Sequence, residues 1–163
     1  MRPEEALLAV LTERSMTVAC AESCTGGLIC KKLTDVPGAS ACVLGGAVTY
    51  TNEMKRKLLG VHRETLETHT AVSEQTALEM AAGICRVTGA DLGLAVTGYA
   101  GPGDSPEAPA GLIWVGICLG GTARAMRLPR HFGPDREANR EAAAAFALSW
   151  ALELIKENEH GTF

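Results

Sequence analysis

Apolar residues recur along this chain in two rhythms, one helical and one of short unbroken runs. From Pro3 to Arg14, Ala6, Leu7, Val10 and Leu11 fall at helical spacing, and Pro3, Glu4 and Glu5 suit a first turn. Thr17-Val18-Ala19-Cys20-Ala21 is a run of small and β-branched residues, the pattern of a strand buried on both faces. Glu22 to Gly27 turns the chain, and helical spacing resumes near Gly26 and lasts until Asp35-Val36-Pro37-Gly38. Cys42 to Tyr50 predicts a second buried strand, in which Gly45-Gly46 marks a bulge or a close backbone approach. Asn52-Glu53 is expected to cap a helix that stops at Gly60.

Arg63 to His69 reads as a short helix. Ser73 opens a longer one with Ala77, Met80, Ala81, Ile84 and Thr88 on one face. Asp91 to Val96 predicts a third strand, which runs into a loop from Thr97 to Pro109 rich in glycine and proline. Leu112 to Leu119 and Thr122 to Leu128 read as strands joined by a hairpin turn at Gly120-Gly121. The last helix starts at Pro134-Asp135-Arg136-Glu137, with a core stripe of Ala138, Ala142, Ala145, Leu148, Leu152 and Ile155. The tail from Glu157 is expected to fray.

Helices alternating with strands, interrupted by one hairpin, predict a three-layer α/β/α sandwich with a mixed sheet. The 163 residues fit a single domain spanning 1–163. With aromatics at only 4%, the core has to be built from Ala, Val, Leu and Ile around close glycine contacts. A net charge of −4 argues against a partner held by phosphate contacts, so no nucleic acid is expected. No apolar run approaches a membrane span and no signal peptide precedes the first helix, which gives the cytoplasm as the expected location. The six cysteines lack the CxxC spacing of a zinc or redox site and read as reduced core residues. His62, His69, His131 and His160 are scattered without ligand spacing, so neither a metal nor a cofactor is expected.

Polar clusters follow the first three predicted strands: Glu22-Ser23-Cys24-Thr25, Tyr50-Thr51-Asn52, and Thr97 to Gly103. Strand ends on one side of an α/β sheet build its ligand crevice. Ser23 or Thr25 is either a helix N-cap or part of a reactive turn, and Cys24 is a rival nucleophile if the helix end lowers its pKa. Lys55, one turn after Asn52, is either a solvated lysine beside Arg56 and Lys57 or a base in a partly buried cleft.

These stretches together resemble the C-terminal domain of the CinA (competence/damage-inducible) proteins, a domain also found alone as nicotinamide-nucleotide amidase. The resemblance runs through Ala21 to Gly27, Val48 to Asn52 with Lys55, Leu59-Gly60-Val61 and Ala71-Val72-Ser73-Glu74. It continues through Thr97-Gly98, Ala100-Gly101-Pro102, Pro109-Ala110-Gly111, and Asp135-Arg136 with Arg140. It implies an amidohydrolase that converts nicotinamide mononucleotide to nicotinic acid mononucleotide and ammonia, with Ser23 as nucleophile and Lys55 as its base. Such a serine–lysine pair supplies what amide hydrolysis requires: a nucleophile, and a proton acceptor that later protonates the leaving amine. The backbone N–H groups from Cys24 through Thr25 and Gly26 to Gly27 are the expected oxyanion donors.

Thr97 holds the lysine or relays a proton, unless it is a turn residue. Glu22 orients the turn or neutralises Lys55. Tyr50 stacks on the substrate, bonds to it, or simply packs. Arg136 and Arg140 grip a phosphate or are ordinary exposed helix arginines. Asn52 and Gly101 complete the expected substrate contacts. A homo-oligomer is expected from the small-residue face at Ala142 to Ala145 and from the resemblance. Departures from the family pattern are Thr70 in place of a glycine, Tyr99 in place of an isoleucine, Asp104 in a glycine-rich loop and Pro134 before Asp135. They bear on the shape of the pocket and leave the catalytic groups in place. The N-terminal pyrophosphatase-like domain of the longer family members is not expected in this chain. The competing function is a regulatory nucleotide-binding module without catalysis.

Overall fold

The computed structural model describes residues 1–103 and 105–159. Asp104 and His160, both singled out in the sequence, lie outside the described residues. Among the described residues, five strands form one sheet: β1 (Val18–Glu22), β2 (Val43–Val48), β3 (Leu92–Gly98), β4 (Ile113–Leu119) and β5 (Thr122–Arg127), in the order β2-β1-β3-β4-β5. β2, β1 and β3 are parallel, whereas β4 and β5 run antiparallel. The α-helices of the described residues cover the sheet: α1 (Pro3–Glu13), α2 (Leu28–Thr34), α3 (Asn52–Leu59), α4 (Arg63–His69), α5 (Glu74–Thr88) and α6 (Arg136–Glu159). α1, α2 and α6 pack on one face, and α5, with α3 and α4 against it, packs on the other. This is the three-layer α/β/α arrangement with a mixed sheet.

β1 and β3 are buried along almost their whole length, as their unbroken apolar runs require. β2 differs from expectation. It is an edge strand, none of its residues is buried, and Leu44 and Val48 are half exposed. Only one neighbour pairs with it, so an apolar run here does not signal burial. α5 packs so closely on β4 that a Cβ on Gly116 would lie 2.3 Å from the Ala77 carbonyl oxygen. Gly120 and Gly121 both have positive φ, as the tight β4–β5 turn demands.

Two helix details also differ. The N-cap of α3 is Thr51, whose hydroxyl accepts from the Met54 N–H at 3.2 Å, so Asn52 is the first helical residue. On α6 the buried face carries Asn139, Ala143, Ala144, Ala147, Ala151 and Leu154 beside Leu148 and Ile155, leaving Ala138, Ala142, Ala145 and Leu152 only partly covered. An alanine run reads alike on every side, and an asparagine on the core face hides the true stripe.

Chain order sets where a ligand can sit. The connection from β1 to β2 passes through α2 on one face. The connection from β2 to β3 crosses over β1 by way of α3, α4 and α5 on the other. A crevice opens where such connections diverge, at the carboxyl ends of the strands. Ser23, Tyr50 and Thr97 all lie at that edge.

Candidate active site

β1 ends at Glu22, and the next residue starts the turn that carries the serine. The Ser23 N–H donates to the Val96 carbonyl at 3.0 Å, and the Thr49 N–H donates to the Glu22 carbonyl at 2.8 Å, so all three strand ends are held level. The turn closes through the Gly26 N–H on the Ser23 carbonyl at 3.0 Å. Gly26 and Gly27 have φ of 61° and 108°, values that glycine adopts without strain. Neither Ser23 nor Thr25 caps α2, whose N-cap is Gly27 without a side-chain partner. Glu22 does that work from the end of β1: its carboxylate, almost fully buried, accepts from the N–H groups of Ile29 at 2.8 Å and Cys30 at 3.1 Å. Glu22 therefore orients the turn, and it makes no ion pair with Lys55.

Lys55 projects from α3 into the same space. It is only 1% exposed, and its Nζ donates to Ser23 Oγ at 2.9 Å and to the Thr49 carbonyl at 2.8 Å. Burial lowers its pKa from 10.5 to about 8, against a smaller opposing influence from Cys24. A solvated surface lysine is thus ruled out. Cys24 behaves oppositely, since burial pushes its thiol up to about 12. A thiol held that high is a poor nucleophile at neutral pH, which removes the low-pKa reading of Cys24.

Ser23, Cys24, Tyr50, Lys55, Thr97, Gly101 and Arg136 line one cavity of about 330 Å³. Ala71, Val72 and Tyr99 share it, and the first two were absent from the sequence-based set of contacts. Thr97 Oγ1 donates to the Ala71 carbonyl at 2.7 Å, so its proton ties down the loop before α5 and does not hold the lysine. Arg136 donates to the Gly101 carbonyl at 2.6 Å and to the Tyr50 hydroxyl at 3.1 Å, bracing two walls together.

The other expected contacts lie elsewhere. Asn52 is exposed in a shallow depression with Arg56 and Arg63, away from the serine. Thr25 is fully buried, and its hydroxyl has no partner among the described residues. Arg140 turns its guanidinium onto the backbone, donating to the carbonyls of Cys24 at 3.0 Å and Thr25 at 3.1 Å. Sequence reasoning missed Asn139. It is fully buried, donates to the carbonyls of Ala100 and Gly133 at 2.9 Å, and accepts from the Phe132 N–H at 2.7 Å. An asparagine inside a helix is unfavourable unless it is bonded, and its position one turn into α6 was the only sign available. Among the described residues, no group of three or more His, Cys, Asp or Glu side chains is placed to hold a metal ion.

The model of the CinA C-terminal domain family matches residues 2–155. The chain belongs to that family. Nicotinamide-nucleotide amidohydrolase PncC of Enterobacter agglomerans is 49% identical over 150 residues, covering 91% of each chain. A CinA-like protein of Kosmotoga olearia is 45% identical over 93% of this chain, and the chain spans 37% of that relative's length. The same fraction holds for related competence-damage inducible proteins of two Clostridium species. Among solved structures, a CinA superfamily protein of Klebsiella pneumoniae superposes with a TM-score of 0.89 at 34% identity, covering 96% of this chain and 99% of that one. The competence/damage inducible protein CihA of Agrobacterium tumefaciens gives 0.87 at 42% identity, covering 94% and 95%.

Proposed function

We propose that this chain hydrolyses the carboxamide of nicotinamide mononucleotide, giving nicotinic acid mononucleotide and ammonia. The observation that carries the reading is Lys55 Nζ on Ser23 Oγ at 2.9 Å inside a cavity, with the lysine pKa lowered towards neutrality. A PncC relative of matching length, named for nicotinamide-nucleotide amidohydrolysis, supports the substrate class.

Neutral Lys55 takes the Ser23 proton as Oγ attacks the carboxamide carbon. The carbonyl π electrons move onto oxygen, and N–H groups of the Cys24–Gly27 turn stabilise that oxyanion. The Gly26 N–H is engaged by the Ser23 carbonyl, which leaves those of Cys24, Thr25 and Gly27 for this role. The lysine ammonium then protonates the leaving nitrogen. The C–N bond breaks, ammonia departs and Ser23 remains esterified. Water, deprotonated by Lys55, attacks the ester, and Ser23 recovers its proton as the carboxylate leaves. The Thr49 carbonyl holds the lysine nitrogen in line throughout. Arg136 and Tyr50 stand at the cavity wall as the groups to meet the nucleotide.

Ammonia release measured with the mononucleotide, nicotinamide and the dinucleotide tests the reading. Turnover of the mononucleotide well above the other two is expected, and no release from any of them removes it. The protein acts as a homo-oligomer, supported by the half-exposed apolar side chains of edge strand β2. Light scattering at micromolar concentration that finds only monomer overturns this. Six free cysteines suit the reducing cytoplasm, which cell fractionation checks.

A further inference from the structure

Three consecutive peptide planes follow the nucleophile, and each is held by its carbonyl. The plane between Ser23 and Cys24 is held through the Ser23 oxygen, which accepts from the Gly26 N–H. The plane between Cys24 and Thr25 is held through the Cys24 oxygen by Arg140 Nε at 3.0 Å. The plane between Thr25 and Gly26 is held through the Thr25 oxygen, which accepts from Arg140 Nη2 at 3.1 Å and from the Leu28 N–H at 3.0 Å. A peptide unit is rigid, so a held carbonyl also aims the N–H on the opposite side of its plane. The Thr25 N–H is therefore directed by Arg140. The Gly26 N–H is directed by Arg140 together with Leu28, and its bond back to Ser23 in turn aims the Cys24 N–H.

Arg140 is well placed to act in this way. Among the described residues its hydrogen bonds go to these two carbonyls, and it forms no ion pair with a carboxylate. A guanidinium presents its donors in a fixed planar fork and stays charged at any working pH. Two adjacent carbonyls fit that fork, and the positive charge lies beside the turn where negative charge would develop. The contact is also tight: a Cβ on Gly26 would lie 3.1 Å from Arg140 Nη2, and the φ of 61° there already disfavours a side chain. One turn earlier on α6, Arg136 is exposed and lines the cavity.

We infer that Arg140 is a positioning residue that holds the backbone donors of the Ser23 turn, and is not a phosphate-binding residue. This deepens the amidase reading and rests on it for its kinetic consequence. A lost or misaimed oxyanion donor costs about 100- to 1000-fold in turnover, whereas a lost phosphate contact would raise KM.

The test compares wild type, Arg140→Gln, Arg140→Lys and Gly26→Ala on nicotinamide mononucleotide and on the same compound lacking its phosphate. Circular dichroism checks that each variant is folded. Arg140→Gln is expected to lower kcat about 100-fold on both compounds, with KM changed less than about threefold. Arg140→Lys, with a point charge in place of the fork, should recover only part of that loss. Gly26→Ala should reproduce the Arg140→Gln defect, and the double variant should be scarcely worse than either. A KM at least tenfold higher for the mononucleotide alone, with kcat retained, would assign Arg140 to the phosphate and overturn the inference. Hydrogen exchange at the Gly26 amide, bonded to the Ser23 carbonyl, supplies a reading independent of activity. Arg140→Gln should speed it, and unchanged exchange overturns the inference even if wild type hydrolyses neither compound. That last result by itself would count against the amidase reading alone.

Discussion

Lys55 Nζ and Ser23 Oγ are 2.9 Å apart although 32 residues separate them in the chain. Ser23 arrives from the end of β1, in the middle layer, and Lys55 from α3, in the outer layer that it shares with α5. Their meeting depends on Lys55 being buried, and burial lowers its pKa to about 8. In the proposed role of base, Lys55 has to be neutral before substrate binds. The rate constant kcat/KM should therefore rise with pH and level off above about 8, the acidic limb reporting the lysine. Lys55→Arg should be as inactive as Lys55→Ala, because guanidinium stays protonated. Near-normal turnover by Lys55→Arg at pH 7 would remove the base role.

Ser23→Ala should abolish ammonia release without unfolding the protein, since the Ser23 backbone bonds to Val96 and Gly26 survive the change. Cys24→Ala should keep most activity, because the buried thiol is held near 12 and is scarcely ionised at neutral pH. Acyl-enzyme trapping followed by mass spectrometry should find the adduct on Ser23. An adduct on Cys24 would reverse the assignment.

The buried lysine also makes stability depend on pH. Below about 8 it is protonated in both the folded and the unfolded chain, so folding carries the full cost of burying the charge. Between about 8 and 10.5 the unfolded chain keeps a proton that the folded one has lost, and stability rises across that window. Relative to Lys55→Met, wild type should gain at most about 3 kcal/mol over this range. Urea unfolding of both proteins at pH 7 and pH 10.5 measures it. Parallel pH dependences would mean that the lysine is not perturbed.

Thr70 has a φ of 70° and a ψ of 173°, a backbone region that disfavours side chains. It stands where the family resemblance places a glycine. Its carbonyl, which accepts from Ser73 Oγ and Thr76 Oγ1, would survive its replacement. Thr70→Gly should thus stabilise the protein, by about 1 kcal/mol. A fall in Tm would show that the threonine side chain contributes more than its backbone costs.

Much of this structure was legible in the sequence because its pattern is local. β1 and β3 show as unbroken apolar runs, the hairpin as a glycine pair, and the α5 cap as Ser73, whose Oγ accepts from the Thr76 N–H. The candidate site was legible in its motifs, and Ser23, Lys55, Tyr50, Gly101 and Arg136 do share one cavity. Position within the sheet was not legible, because burial of β2 depends on which strands flank it. The orientation of α6 was hidden by alanines that look alike from every side. The work of Asn139 and Arg140 was hidden for another reason: both bond to backbone carbonyls, and a carbonyl leaves no trace in residue identity.

Glu22 ends β1, and its carboxylate grips the N–H groups of Ile29 and Cys30 in α2. The strand and the helix are thereby buckled together across the turn that holds Ser23, and the buckle has only one hole. The grip is made by backbone N–H groups of α2, so it depends on the spacing between Glu22 and Ile29. One residue added or removed between Glu22 and Ile29 would rotate α2 by about 100°, swinging those N–H groups away from the carboxylate. Ser23 is thus tied to a loop whose length cannot vary.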